Sequence, residues 1–224
     1  MRIAEIFFSV QGEGALVGTP SVFVRTSGCN LRCVWCDTPY ASWRPEGPDQ
    51  GLPAILSDVL RYGCRYVVVT GGEPMIAPEI VPLTQELARA RLHITIETAG
   101  TVYAPVVCHL MSISPKLANS TPSGHWAAKH ERRRIQPEIL KRLMAACDYQ
   151  LKFVVASPED LPEIRLLLEQ IGARDPARVI LMPEGTEAAV LRERSLWLVE
   201  TCKQEGFRYS PRLHIDLYGN RRGV

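Results

Sequence analysis

Three of the chain's seven cysteines fall close together, in Gly28-Cys29-Asn30-Leu31-Arg32-Cys33-Val34-Trp35-Cys36-Asp37. Thiolates at this C-x3-C-x2-C spacing are soft ligands able to close around one metal ion or one cluster. A structural zinc site takes four ligands, ordinarily as two pairs. No second C-x2-C pair exists here, the next cysteine being Cys64 and the next histidine His93. A distant fourth ligand would still allow zinc. Three thiolates alone suit a four-iron cluster with one iron left open for a ligand, whereas a cluster that only carries electrons is closed by a fourth Cys. The cysteine count is odd, and the opening MRIAEIFFSVQGEG lacks the continuous apolar stretch of a signal peptide. A disulfide framework is therefore not expected and a cytoplasmic location is. Cys64, Cys108, Cys147 and Cys202 lie among apolar neighbours and read as inert packing.

Other candidates follow apolar runs. The run at 66–69 leads into Thr70-Gly71-Gly72-Glu73-Pro74. Its glycines permit positive φ and close approach of a ligand, and backbone carbonyls with Glu73 could accept hydrogen bonds from an ammonium group. The run at 93–96 leads into Glu97-Thr98-Ala99-Gly100, and a carboxylate so placed can take both hydroxyls of a ribose. The run at 109–113 leads into Ser114-Pro115-Lys116, a hydroxyl beside an ammonium, and that at 179–181 into Met182-Pro183-Glu184-Gly185, whose apolar part suits an adenine face. Plainer readings stand beside these: a Gly-Gly turn and a solvated Glu97.

These residues need elements to hold them. Val- and Ile-rich runs at 3–10, 21–26, 66–70, 93–97, 109–114, 150–155, 179–182 and 212–217 read as strands. Stretches at 53–62, about 78–90, 137–146, 158–171 and 187–205 have helical spacing. Ser157 before Pro158 reads as a helix start and Gly172 as a stop. Such alternation implies right-handed βαβ units and a mostly parallel sheet. Six units are too few for the eight-unit barrel of about 250 residues. The expected fold is α/β, a partial (β/α)6 TIM-like barrel, with an open doubly wound sheet as second choice. In both, chemistry gathers at the C-terminal ends of the strands.

A length of 224 residues fits one domain over 1–224, with loop insertions near 37–51 and 116–134. With 46% hydrophobic residues there is ample core for a folded state. A net charge of +2 gives little pull toward nucleic acid or a membrane surface. No run approaches the roughly 18 apolar residues of a membrane span.

With Trp35 in the slot before Cys36, the cysteine spacing resembles the C-x3-C-x-aromatic-C signature of the radical S-adenosylmethionine (SAM) superfamily. Further motifs are QGEG at 11–14, VFVRTSGCN at 22–30, CDT at 36–38, TGGEP at 70–74, ETAG at 97–100, ISPK at 113–116 and LHIDLYGNRRGV at 213–224. Together they make the chain resemble the 7-carboxy-7-deazaguanine synthase family from about residue 5 to its end. That resemblance implies a radical SAM lyase of queuosine biosynthesis, on a route to transfer RNA modification. It takes 6-carboxy-5,6,7,8-tetrahydropterin to 7-carboxy-7-deazaguanine with loss of ammonia. Hydrogen abstraction at C6 by a deoxyadenosyl radical starts the ring contraction, SAM is regenerated, and no side chain acts as nucleophile.

The resemblance also implies roles for residues. Cys29, Cys33 and Cys36 would hold a 4Fe-4S cluster and Thr38 a Mg²⁺ ion. Gly72, Glu73, Glu97, Ser114, Pro115, Lys116 and Met182 would bind SAM. Val10, Gln11, Gly12, Glu13, Arg25, Thr70, His214 and the carboxylate of Val224 would meet the pterin, Arg25 as a fork on its carboxylate. A homodimer and an electron donor such as flavodoxin are implied, with no direct contact to nucleic acid or membrane. Ala99 stands where many members carry Asn and Met182 where some carry Gln, and the tail after His214 varies in length. The plainer readings are an Arg25 bridge to a surface carboxylate, Thr38 as a loop cap, and His214 as a satisfied core histidine on an alternating strand. Two other readings share the cysteines. A glycyl-radical-enzyme activase leaves residues 11–14, Arg25 and His214 unexplained; the other is a non-catalytic zinc-binding adaptor.

Overall fold

The computed structural model describes residues 1–224. Its strands are β1 (Ile3–Val10), β2 (Pro20–Thr26), β3 (Tyr66–Gly71), β4 (His93–Thr98), β5 (Leu110–Ile113), β6 (Tyr149–Val155), β7 (Val179–Pro183) and β8 (Arg208–Tyr209). They form one sheet in sequential order. β1 runs antiparallel to β2, and every later strand is parallel to the one before it. Because the order never reverses, right-handed crossovers carry the helices to a single face, and the sheet curls around the other. This is the expected partial barrel, with β2–β7 as its six parallel strands. The doubly wound alternative, which needs a point of reversal, does not hold.

The two faces differ in chemistry, as alternation requires. Outward residues such as Val24, Val69, Ile96, Ile113, Phe153 and Leu181 join an apolar core. The helices cover them: α1 (Leu52–Leu60) through Ile55 and Val59, α2 (Ile80–Arg89) through Leu83 and Leu87, and α4 (Pro137–Ala146) through Leu140 and Leu143. α5 (Leu161–Ile171) adds Ile164 and Leu167, and α6 (Ala188–Glu205) adds Leu198. Many inward residues are polar although buried, among them Thr70, Thr95, Ser112, Gln150 and Lys152, beside a small apolar cluster of Phe7, Phe23 and Val68.

Three expectations need correction. Residues 212–217 form a helix, α7 (Leu213–Tyr218), and the last strand is β8 upstream of it. Leu213, Ile215 and Leu217 alternate as a strand would, but only Ile215 is buried. In so short a segment the chain reversal after Arg212 outweighs the period. The 116–134 segment is not all loop, since it ends in α3 (Ala127–Arg134). The helix read from 158 opens as a 3-10 turn at Pro158–Asp160, closed by a reciprocal Ser157–Asp160 capping box before α5.

Candidate active site

The C-terminal strand ends surround a cavity of about 730 Å³. Cys29, Cys33 and Cys36 form part of its wall, in the loop that leaves β2. That loop has no regular structure and is held by its neighbours instead. The Val34 amide donates to the Ser120 carbonyl (2.9 Å), and the Arg32 amide donates to His130 Nδ1 (3.1 Å). Trp35, in the aromatic slot, donates from its indole to the Asn119 carbonyl (3.1 Å), and Trp43 donates to the Cys33 carbonyl (3.0 Å). The 116–134 segment is thus the scaffold of the cysteine loop.

All three thiols are free. Burial pushes Cys29 up to about 11 and Cys33 up to about 12, so these sulfurs stay protonated until a metal displaces the proton. No three His, Cys, Asp or Glu side chains gather closely enough to hold a single metal ion, which is what a zinc site needs. Three sulfurs on one wall of an open cavity, without a fourth, fit a four-iron cluster that Cys29, Cys33 and Cys36 would hold with one iron left open for a ligand.

β3 ends against this loop. The Gly72 amide donates to the Thr26 carbonyl (3.1 Å) and the Glu73 amide to the Gly28 carbonyl (2.9 Å). A Cβ on Gly72 would lie 2.1 Å from the Gly28 oxygen and 2.5 Å from that of Ala41. Backbone packing, as well as any ligand, demands glycine here. Gly72→Ala should cost about 1–3 kcal/mol and lower iron loading together with the melting temperature. A variant unchanged in both would contradict this packing role.

Of the residues singled out in the sequence, all but Glu73 and Pro115 line the cavity. Glu73 is buried with its carboxylate accepting from Thr98 Oγ1 (2.7 Å), the Ala99 amide (2.8 Å) and the Met75 amide (3.1 Å). Burial pushes its carboxyl up while these donors oppose the shift. Its oxygens tie β3 to β4, and the part of this stretch that lines the cavity is Thr70 to Gly72. Lys116 Nζ donates to the carbonyl and hydroxyl of Ser114, both at 2.8 Å.

The opposite wall is the 10–13 segment. Gln11 and Thr70 each donate to one oxygen of Glu97, at 3.1 and 2.8 Å, joining three strand ends. A Cβ on Gly12 would lie 2.0 Å from His214 Nδ1, so glycine lets α7 press its histidine onto the segment. His214 is therefore a helix residue in the cavity wall, and burial holds it below the usual histidine range. Arg25, which lines the cavity, gives Nε to Glu5 (2.7 Å), which also accepts from Tyr40, so this ion pair does not use its two guanidinium amino groups. Thr38 lies beside the cysteines, its Oγ1 3.8 Å from Cys36 Sγ, and Val224 lines the rim.

The densest electrostatics involve residues that the sequence reading did not select. Lys152 forms an ion pair with Glu13, and Arg212 pairs with both Glu13 (3.1 Å) and Asp37. Burial pushes the Glu13 carboxyl up, but Lys152 and Arg212 outweigh it and hold the group well below the usual carboxylate range. Asp37 is likewise lowered, chiefly by Arg212 acting against burial. One signal for Lys152 was present: a lysine at an inward position of QLKFVV, flanked by Leu151 and Phe153.

Comparison with known proteins decides the family. Residues 23–209 match the Radical SAM superfamily. A 7-carboxy-7-deazaguanine synthase of Rhodopirellula baltica is 47% identical over 100% of this chain and 89% of its own length. One from Halobacterium salinarum is 45% identical over 98% and 91%. The chain belongs to the 7-carboxy-7-deazaguanine synthase family. The crystal structure of QueE from Escherichia coli superposes with a TM-score of 0.71 at 26% identity, covering 95% of this chain and 94% of that one. Radical SAM membership carries a 4Fe-4S cluster and SAM with it, and the cysteine wall of this family member fits that pair.

Proposed function

We propose that this chain converts 6-carboxy-5,6,7,8-tetrahydropterin to 7-carboxy-7-deazaguanine with release of ammonia. The observation that carries the reading is one cavity with the three cysteines on one side and the ionised Glu13 and the forked Arg25 on the other. A cluster held by Cys29, Cys33 and Cys36 would supply, with SAM, the radical chemistry that abstracts hydrogen from substrate. The other roles fall to side chains. Glu13, kept ionised, is acceptor-only and suits the N–H donors of an aminopyrimidinone edge, while the amide of Gln11 suits mixed donors and acceptors. Arg25 Nη1 and Nη2 take the substrate carboxylate as a fork. Val10, Gly12, Thr70 and His214 shape the pocket, and Val224 closes the rim. Gly72, Glu97, Ser114, Lys116 and Met182 border the space for SAM, with Glu73 and Pro115 supporting them from behind.

Thr38 would hold Mg²⁺ through one oxygen, an arrangement this water-retaining ion accepts, and the ion would template the substrate carboxylate there. Thr38→Ala should raise the Mg²⁺ concentration needed for half-maximal activity about 10-fold or more. Unchanged Mg²⁺ stimulation would overturn the assignment. A one-electron protein donor of the flavodoxin type, a homodimer covering the sheet edges at β1 and β8, and a cytoplasmic location complete the proposal. No helix is long and apolar enough to cross a membrane. The test is anaerobic incubation of the iron-loaded protein with the carboxy-tetrahydropterin, SAM, reductant and Mg²⁺, with products identified by mass. Deazaguanine carboxylate supports the reading, and its absence contradicts it.

A further inference from the structure

Outside the cysteine loop, two thiols meet at the far end of the barrel. Cys108 lies just before β5 and Cys147 just before β6, and these strands are parallel neighbours with Met111 opposite Tyr149. Cys108 Sγ donates to Cys147 Sγ at 2.9 Å. Both are half-buried against the apolar core, and neither lines the active-site cavity. Cys64 and Cys202 differ, since their sulfurs donate to the backbone carbonyls of Pro20 and Arg208. Packing alone does not explain why two thiols should face each other across adjacent strand starts.

We propose that Cys108 and Cys147 are a redox modification site, closing to a reversible intramolecular disulfide by exchange with a low-molecular-weight disulfide such as oxidised glutathione. The extended backbone at Cys147 (φ −152°, ψ 172°) and the loop position of Cys108 leave both free of helix or ladder constraints. The two sulfurs lie side by side, so either can open the exchange. With Cys147 first, its thiolate attacks one sulfur of oxidised glutathione, forming a mixed disulfide and expelling one reduced glutathione. Cys108 then loses its proton and attacks the Cys147 sulfur of the mixed disulfide, expelling the second. The two protein thiols are oxidised by two electrons and oxidised glutathione is reduced by two. Reversibility fits a chain of a reducing compartment, where such bonds are transient.

The bond would have a structural effect at a distance. It would close a loop over residues 108–147, the stretch that carries Asn119, Ser120 and His130, which hold Trp35, Val34 and Arg32 of the cysteine loop. The oxidised pair thus staples the scaffold of the cluster loop without touching the cluster.

The test uses the iron-loaded protein, anaerobically, with oxidised glutathione, followed by thiol alkylation and peptide mapping. The expected result is joint loss of alkylation at Cys108 and Cys147 and a cross-linked peptide joining them. Iron content should be unchanged and the melting temperature should rise by about 5–10 °C, all reversed by dithiothreitol. Cys108→Ser and Cys147→Ser should each form no cross-link and stop at a glutathione adduct on the remaining thiol. The proposal is overturned if both cysteines stay alkylatable, if each carries its own glutathione, or if the cross-link forms with no change in melting temperature.

Discussion

Cys33→Ser is expected to yield a folded barrel that builds no complete cluster and forms no detectable product. Cys33 is the most buried of the three cluster-loop cysteines, at 8% exposure. Its backbone carbonyl accepts from Trp43, and the loop around it is fastened through Val34, Arg32 and Trp35. None of those fastenings uses the Cys33 sulfur, so the loop's frame survives the exchange. What is lost is a soft thiolate, and serine oxygen is a poor substitute for iron in a sulfide cluster. Iron and sulfide should fall well below the roughly four of each per chain that a complete cluster holds, while the apo-protein melts within a few degrees of the parent. Full iron loading and activity in the variant would show that the cysteines are not the ligands. Loss of folding would show that the thiol, rather than the backbone, holds the loop.

The second large effect is expected at Arg212. Its guanidinium is 6% exposed and spends all of its reach on Glu13, Asp37 and the Gly185 carbonyl. It thereby joins the 10–13 segment to the residue that follows Cys36. Arg212→Met would leave Glu13 with Lys152 alone and Asp37 without its ion-pair partner. Breaking a buried pair from one side costs about 3–5 kcal/mol, and Asp37, more open to water, places this loss near the lower figure. The pH dependence has a definite sign. Glu13 and Asp37 have lowered folded pKa values, so their contribution to stability is present at neutral pH, above the unfolded values, and is lost as pH falls through the acid range. The gap between parent and variant in urea unfolding should be widest near pH 7 and shrink below about pH 4. A gap independent of pH would mean that Arg212 acts by packing alone. The same change should reduce kcat/KM by at least 10-fold, because Glu13 loses part of what keeps it ionised and aimed.

How far the sequence disclosed this site depends on what each residue does. The cysteines, the Gly71-Gly72 pair and Glu97 sit at or just past the ends of apolar runs, where local pattern marks a strand end and a strand end marks the cavity. Arg212 gave no local signal and Lys152 only its inward place beside apolar neighbours, because their roles come from a partner 199 and 139 residues away, Glu13. The sequence marks Glu73 by the two glycines before it, but not the three donors from Met75, Thr98 and Ala99 that fix its carboxylate. His214 was placed on a strand because three alternating apolar residues fit period 2, and only the reversal after Arg212 turns them into a helix. Cys108 and Cys147 read as separate packing thiols, since nothing in their spacing says that β5 and β6 start side by side.

The most direct measurement is a time course with the iron-loaded enzyme, the carboxy-tetrahydropterin, reductant, Mg²⁺ and a limited amount of SAM, following product, ammonia and SAM together. The account predicts that 7-carboxy-7-deazaguanine and ammonia rise in equal amounts, well beyond the SAM supplied, while SAM persists. SAM consumed with no deazaguanine formed would contradict it.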